Sequence, residues 1–192
     1  MSERPNPLSA ACPALSATGQ EIVRLVGERA ENVFDARGYC CAEAVLCVLN
    51  QGFGGELAPE MAVRLGSGFC HGMGGAGCTC GSLAGAEVGL SLFLGPRQSG
   101  GMKKKEFEQV ARAMHDRFRE RFGATCCRIL LKRRKEKKGA SCKELTGGGA
   151  EIAAALLLAT RPELEARVDF DFFRTRESKV AGLARRLLGQ QL

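Results

Sequence analysis

The chain has 192 residues, of which 45% are hydrophobic and 26% charged, enough apolar material for one hydrophobic core and unlike a disordered or membrane-embedded composition. Its formal charge of +7 sits in one region: residues 100–142 carry 14 Lys/Arg against 5 Asp/Glu, a local +9 that leaves −2 for the rest. The chain has one Tyr and no Trp, which speaks against nucleic-acid binding, and the basic region fits a solvated face or a docking surface for an acidic redox partner.

Residues 1–18, interrupted by Pro5, Pro7 and Pro13, read as a flexible tail. They have neither the basic start nor the apolar run of an export signal, so a cytoplasmic protein is expected. A first helix is expected over 19–37, where Ile22, Val26, Ala30 and Val33 recur at helical spacing and Gly38 stops the run. A second begins near Cys41 and carries Ala44, Val45, Val48 and Leu49 as far as Gly52. Pro59 opens a short third helix through Leu65.

Six of the twelve residues from Gly66 to Gly77 are glycine, which marks a backbone that turns tightly or admits a close neighbour. Thr79 is the expected cap of an apolar helix ending at Leu94, along which Gly81, Gly85 and Gly89 form a stripe. Each of those glycines costs about 1 kcal/mol relative to alanine in a helix, so a close contact should compensate. A neighbouring helix, a second copy of the chain in a homodimer, or a cofactor resting on Gly81 and Gly85 would supply it.

Residues 103–122 form the clearest amphipathic helix, with Phe107, Val110, Met114, Phe118 and Phe122 on one face and Gly123 as its stop. Thr125 is the expected cap of the next helix, which runs into the basic segment 132–138. Ser141 and Glu144 make a capping box around Cys142, and Gly147, Gly148 and Gly149 are expected to separate that turn from a helix at 150–160. After Pro162 a brief alternation at 168–173 suggests an extended piece, and 178–188 a last amphipathic helix. The expected fold is therefore all-α: a single bundle of six to eight helices with a glycine-rich loop. Its expected parts are a tail (1–18), a cysteine-rich domain (19–160) and a C-terminal helical extension (161–192). The most apolar stretches, 88–94 and 152–159, are far shorter than the roughly 20 residues that span a bilayer.

Ten cysteines in a chain without an export signal point to metal or redox chemistry more than to structural disulfides. Cys47, inside an apolar run, reads as core packing. Cys41, Cys80, Cys127 and Cys142 stand where helices are expected to begin. There the partial positive charge and unpaired N–H groups of the helix favour the thiolate, the form that attacks and that binds metal. If such ends converged, the thiolates would repel one another unless a cation, a cluster or disulfide formation removed the charge.

Taken in order, Cys41-Ala42-Glu43-Ala44-Val45-Leu46, the glycine-rich loop, Cys80-Gly81-Ser82-Leu83-Ala84-Gly85, Phe122-Gly123 with Cys127, and Cys142 resemble the redox-active C_GCAxxG_C_C family over roughly residues 20–160. The resemblance implies a helical domain with four characteristic cysteines, Cys41, Cys80, Cys127 and Cys142, with Cys126 the alternative at the third position. It also implies similarity to the cluster-bearing part of split-Soret cytochromes, and hence an iron–sulfur cluster of the 2Fe-2S kind used for electron transfer rather than substrate turnover. Three departures stand out: Ser82 replaces a usual alanine, Cys70 and Cys78 are extra thiols, and no Cys-x-x-Cys-His is present to attach haem. The runner-up is a metal-free thiol–disulfide protein, for which Cys40-Cys41, Cys126-Cys127 and Cys78-x-Cys80 offer pairs. Structural zinc on Cys70, His71, Cys78 and Cys80 is a third reading, and a scaffold in which the cysteines merely pack is the fourth.

Overall fold

Ser16 closes the first turn of the chain's longest helix: its side chain accepts from the Gly19 N–H at 2.8 Å, and α1 (Ala17–Arg37) runs from there to a left-handed Gly38. The computed structural model describes residues 15–96 and 101–180. It continues with α2 (Cys41–Gly52), α3 (Pro59–Ser67), a one-turn α4 (Cys70–Met73), α5 (Gly81–Leu94), α6 (Lys104–Phe122), α7 (Cys127–Lys135), α8 (Cys142–Thr160), a 3-10 turn (Pro162–Arg167) and α9 (Phe170–Arg174). The fold is all-α, with no strand among the described residues beyond an isolated Thr79–Cys126 bridge. No described helix is long and apolar enough to cross a membrane.

The centre of the bundle is α8, which packs against α1, α2, α5 and α6. Ala150, Ala153, Leu156 and Leu157 on it are fully buried, as are Val45 and Leu49 of α2 and Leu90 of α5. Gly147, Gly148 and Gly149 do not interrupt the chain as expected. They lie inside α8, and a methyl group on them would run into Glu31 of α1, Phe122 of α6 and Ser82 of α5 respectively. Three helices close on one turn of α8 because it has no side chains there, and their packing compensates the poor helix propensity.

The Gly81/Gly85/Gly89 stripe is used in the same way. A Cβ on Gly85 would lie 2.6 Å from the Ala42 carbonyl oxygen, and one on Gly89 would lie 2.5 Å from Leu49 Cδ1. The close contact is therefore α2 of the same chain, and the surface that suggested a second copy is already covered.

Only Val168 and Asp169 are extended, and from Phe170 the segment is helical: Asp169 accepts from the Phe172 N–H at 2.8 Å and caps α9. The alternation there reflects Phe173 turning inward onto Phe53 (ring centroids 5.7 Å apart) over the bare surface of Gly52. The expected last helix falls mostly beyond residue 180, and Cys12 before residue 15, both outside the described residues.

Candidate redox centre

Four helix N-termini meet around one cavity. Cys41 is the first residue of α2, Cys80 the N-cap of α5, Cys127 the first residue of α7 and Cys142 the first residue of α8. All four line a cavity of about 280 Å³ together with Cys40, His71, Phe34, Tyr39, Leu130 and Leu145. These cysteines are separated by up to a hundred residues in sequence, so only the tertiary fold assembles them.

Backbone pairing brings Cys80 and Cys127 together. The Cys80 N–H donates to the Thr125 carbonyl at 2.8 Å, the Cys127 N–H to the Cys78 carbonyl at 2.6 Å and the Arg128 N–H to the Gly77 carbonyl at 3.1 Å. Thr79 and Thr125 thus spend their backbone on this crossing instead of capping, and the caps of α5 and α7 are Cys80 and Cys126 themselves. Gly72, at φ +73°, faces Cys127 so closely that a Cβ would sit 2.7 Å from that of Cys127. A Cβ on Gly81 would likewise sit 2.5 Å from Cys41 Sγ. The conformational freedom of the loop and the bare start of α5 therefore admit the cysteines themselves. Cys142 is placed by the expected capping box: Ser141 Oγ accepts from the Glu144 N–H at 3.2 Å, and the Glu144 carboxylate accepts from the Ser141 N–H at 2.7 Å.

Hydrogen bonding from the neighbouring Cys80 thiol does most to bring Cys41 down to about 7. The backbone N–H groups of Ala42, Cys41 and Ser82 add to the effect against the opposing influence of burial. Cys80 moves the other way, held protonated by its bond to the Cys41 sulfur and by burial. Burial also raises Cys127, and the charges of Cys41, Cys142 and Cys126 add to it. Arg134 Nη1 lies 3.7 Å from Cys142 Sγ, but no Lys or Arg is among the described residues that line the cavity. Mutual repulsion opposes ionising several of these thiols at once, and a bound cation would offset it.

Of the other described cysteines, Cys40 also lines this cavity, and Cys47, Cys70, Cys78 and Cys126 do not. The Cys126 thiol donates outward to the Gly77 carbonyl at 3.1 Å, Cys78 is exposed, and Cys47 is fully buried with Sγ 3.6 Å from Gln51 Oε1. Cys70 forms a disulfide with Cys40, whereas sequence adjacency pairs Cys40 with Cys41. Among the described residues, Cys40, Cys70 and Glu43 are the only group of three or more such donors lying within 4.8 Å of one another. Cys70, His71, Cys78 and Cys80 form no such group. Gly81 and Gly85 lie under α2, with Gly81 touching Cys41.

A family model described as "Putative redox-active protein (C_GCAxxG_C_C)" matches residues 39–156, more than half of the chain. The chain belongs to this family. The matched span of this C_GCAxxG_C_C protein holds the four cavity cysteines, the glycine loop and the Cys40–Cys70 disulfide, and it stops short of the segment 161–180 that packs on α1 and α2. No curated protein and no solved structure matches the chain significantly. In this C_GCAxxG_C_C protein Ser82, placed where alanine is usual, is fully buried and donates to the Leu145 carbonyl at 2.6 Å, tying the start of α5 to α8 beside the cavity.

Proposed function

We propose that Cys41, Cys80, Cys127 and Cys142 hold an iron–sulfur cluster, of the 2Fe-2S kind, and that the protein transfers electrons. The observation that carries this reading is the convergence of four cysteines, each at a helix N-terminus, on one cavity. The donor set fits the group: four soft sulfur ligands, helix-start N–H groups directed at Cys41 and Cys80, and an apolar lining from Phe34, Leu130, Leu131 and Leu145.

When bound, such a cluster supplies one-electron chemistry. The chain's own contribution is to ligate and to tune. N–H groups at the helix starts stabilise negative sulfur, the leucines and Phe34 keep water away, and Arg134 beside Cys142 places one positive charge at the rim. The exposed basic segment from Lys132 to Lys138 then serves as a docking surface for an acidic redox partner, in a reducing compartment such as the cytoplasm.

A second reading, a metal-free dithiol, is favoured by the pairing on one cavity of a lowered Cys41 thiol with a Cys80 thiol held protonated. Cys41 as thiolate attacks a substrate disulfide and releases one of its sulfurs as thiolate. Cys80, losing its proton, then attacks Cys41 in the mixed disulfide and expels the second sulfur, leaving Cys41–Cys80 oxidised. The two readings separate in protein purified without oxygen. A visible absorption band with equimolar iron and sulfide supports the cluster. A colourless sample that resists reconstitution, but reversibly loses two thiols on mild oxidation, supports the dithiol and overturns the cluster.

A further inference from the structure

The Cys40–Cys70 disulfide closes the glycine loop onto the start of α2, with the two Cα atoms 5.7 Å apart. Both residues are half-buried rather than sealed, and Cys40 lines the cavity, so a small reductant can reach the bond. Glu43 stands beside it, one of its carboxylate oxygens within 4.8 Å of both sulfurs. That carboxylate is held in place by two donors, the Cys40 N–H at 2.8 Å and the Ser67 hydroxyl at 2.7 Å. The bare Gly66 lets α3 lie directly on the Glu43 backbone, which fixes the position of the Ser67 hydroxyl. The same carboxylate closes the capping box of α2, so the helix start holds it beside the sulfurs whether or not they are bonded to each other. Next to two thiols, two sulfurs and an oriented oxygen form three sides of a cation site.

We propose that Cys40, Glu43 and Cys70 form a redox-gated metal site, separate from the four-cysteine ring, that takes one borderline-soft divalent cation such as Zn²⁺ only when the disulfide is reduced. A dithiol or phosphine supplies the two electrons. With a dithiol, the Cys40–Cys70 S–S bond breaks, an S–S bond forms in the reagent, and its two protons pass to the freed thiols. The incoming cation displaces those two protons to solvent and binds both thiolates and the Glu43 carboxylate, with water in the open position. In the oxidised state the sulfurs are bonded to each other and have no thiolate to offer. The loop is clasped in both states, covalently in one and through the cation in the other. Its left-handed residues His71 (φ 54°) and Met73 (φ 67°) are therefore held whichever state prevails.

The test loads the full chain with zinc chloride under argon, with and without a phosphine reductant, and counts retained zinc by elemental analysis after desalting. The reduced protein is expected to hold one zinc per chain more than the oxidised protein. Cys70→Ser and Cys40→Ala, compared with wild type under reducing conditions, are each expected to lose that increment while any metal of the four-cysteine ring stays. Glu43→Gln should weaken the site about tenfold or more against a chromogenic chelator. Equal zinc in reduced and oxidised wild type, or an increment that survives Cys70→Ser, overturns the proposal. A quadruple variant at Cys41, Cys80, Cys127 and Cys142 that keeps the increment isolates this site from the cavity.

Discussion

Replacing Glu177 with glutamine should destabilise the fold by about 3–5 kcal/mol, the cost of leaving a buried charge without its partner. The Arg29 side chain is 1% exposed and Glu177 9%, and they meet at 2.7 Å. Arg37 joins the same carboxylate at 2.6 Å, Phe172 lies under the Arg29 guanidinium at 4.7 Å, and Asn32 holds both Arg29 and the Glu177 backbone. Arg29 Nε has no hydrogen-bond partner among the described residues, so the guanidinium depends on its other nitrogens. Burial would raise the Glu177 carboxyl, but the hydrogen bonds and charges of Arg37 and Arg29 hold it at about 2. A depressed carboxylate stabilises the fold above the unfolded value near 4.5, and that contribution is lost as the pH falls through about 2. The assay is urea unfolding followed by circular dichroism at pH 7. With a slope of about 2–3 kcal/mol/M, the midpoint should fall by about 1–2 M. Adding Arg29→Met to Glu177→Gln should restore part of the loss by removing the stranded cation. A shift under about 1 kcal/mol for Glu177→Gln would refute the argument that this pair anchors the C-terminal segment to α1.

Glu87, half-buried in α5, is raised to about 7 by burial alone. Stability should therefore decline as pH rises from about 4.5 to 7, and Glu87→Gln should gain about 1–2 kcal/mol at pH 8 and nothing at pH 4, read from thermal unfolding at the two pH values. Gly85→Ala would place a Cβ 2.6 Å from the Ala42 carbonyl, so α2 and α5 must part. A loss of about 1–3 kcal/mol is expected despite the better helix propensity, and an unchanged denaturation midpoint would contradict the packing. Ser82→Ala restores the residue usual in the family but removes a buried 2.6 Å bond to Leu145, with an expected cost of about 1 kcal/mol in the same measurement.

The helices were largely legible because their signals are local. Apolar spacing set α1 and α6, Gly38 and Gly123 stop them in left-handed conformations, and the Ser141–Glu144 box starts α8 as written. Misreadings arose where a residue's role depends on a distant partner. Three successive glycines look like a break until α1, α5 and α6 are seen against them, and Thr79 and Thr125 look like caps until their backbones are seen crossing. The four ring cysteines could be picked out because a helix N-terminus is a local property and the family pattern orders them. The bond between Cys40 and Cys70 could not, since nothing near either residue states how the glycine loop folds back onto α2.

At the third position of the ring, Cys126 and Cys127 are chain neighbours with different surroundings. The Cys127 side chain lines the cavity, while the Cys126 thiol donates to the Gly77 carbonyl outside the ring. Iron and sulfide should be counted in wild type, Cys126→Ser and Cys127→Ser after anaerobic reconstitution. The account predicts equimolar iron and sulfide with a reducible visible band in wild type and Cys126→Ser, and loss of both in Cys127→Ser. Wild-type protein that takes up no iron, or a cluster that survives Cys127→Ser and is lost in Cys126→Ser, would contradict it.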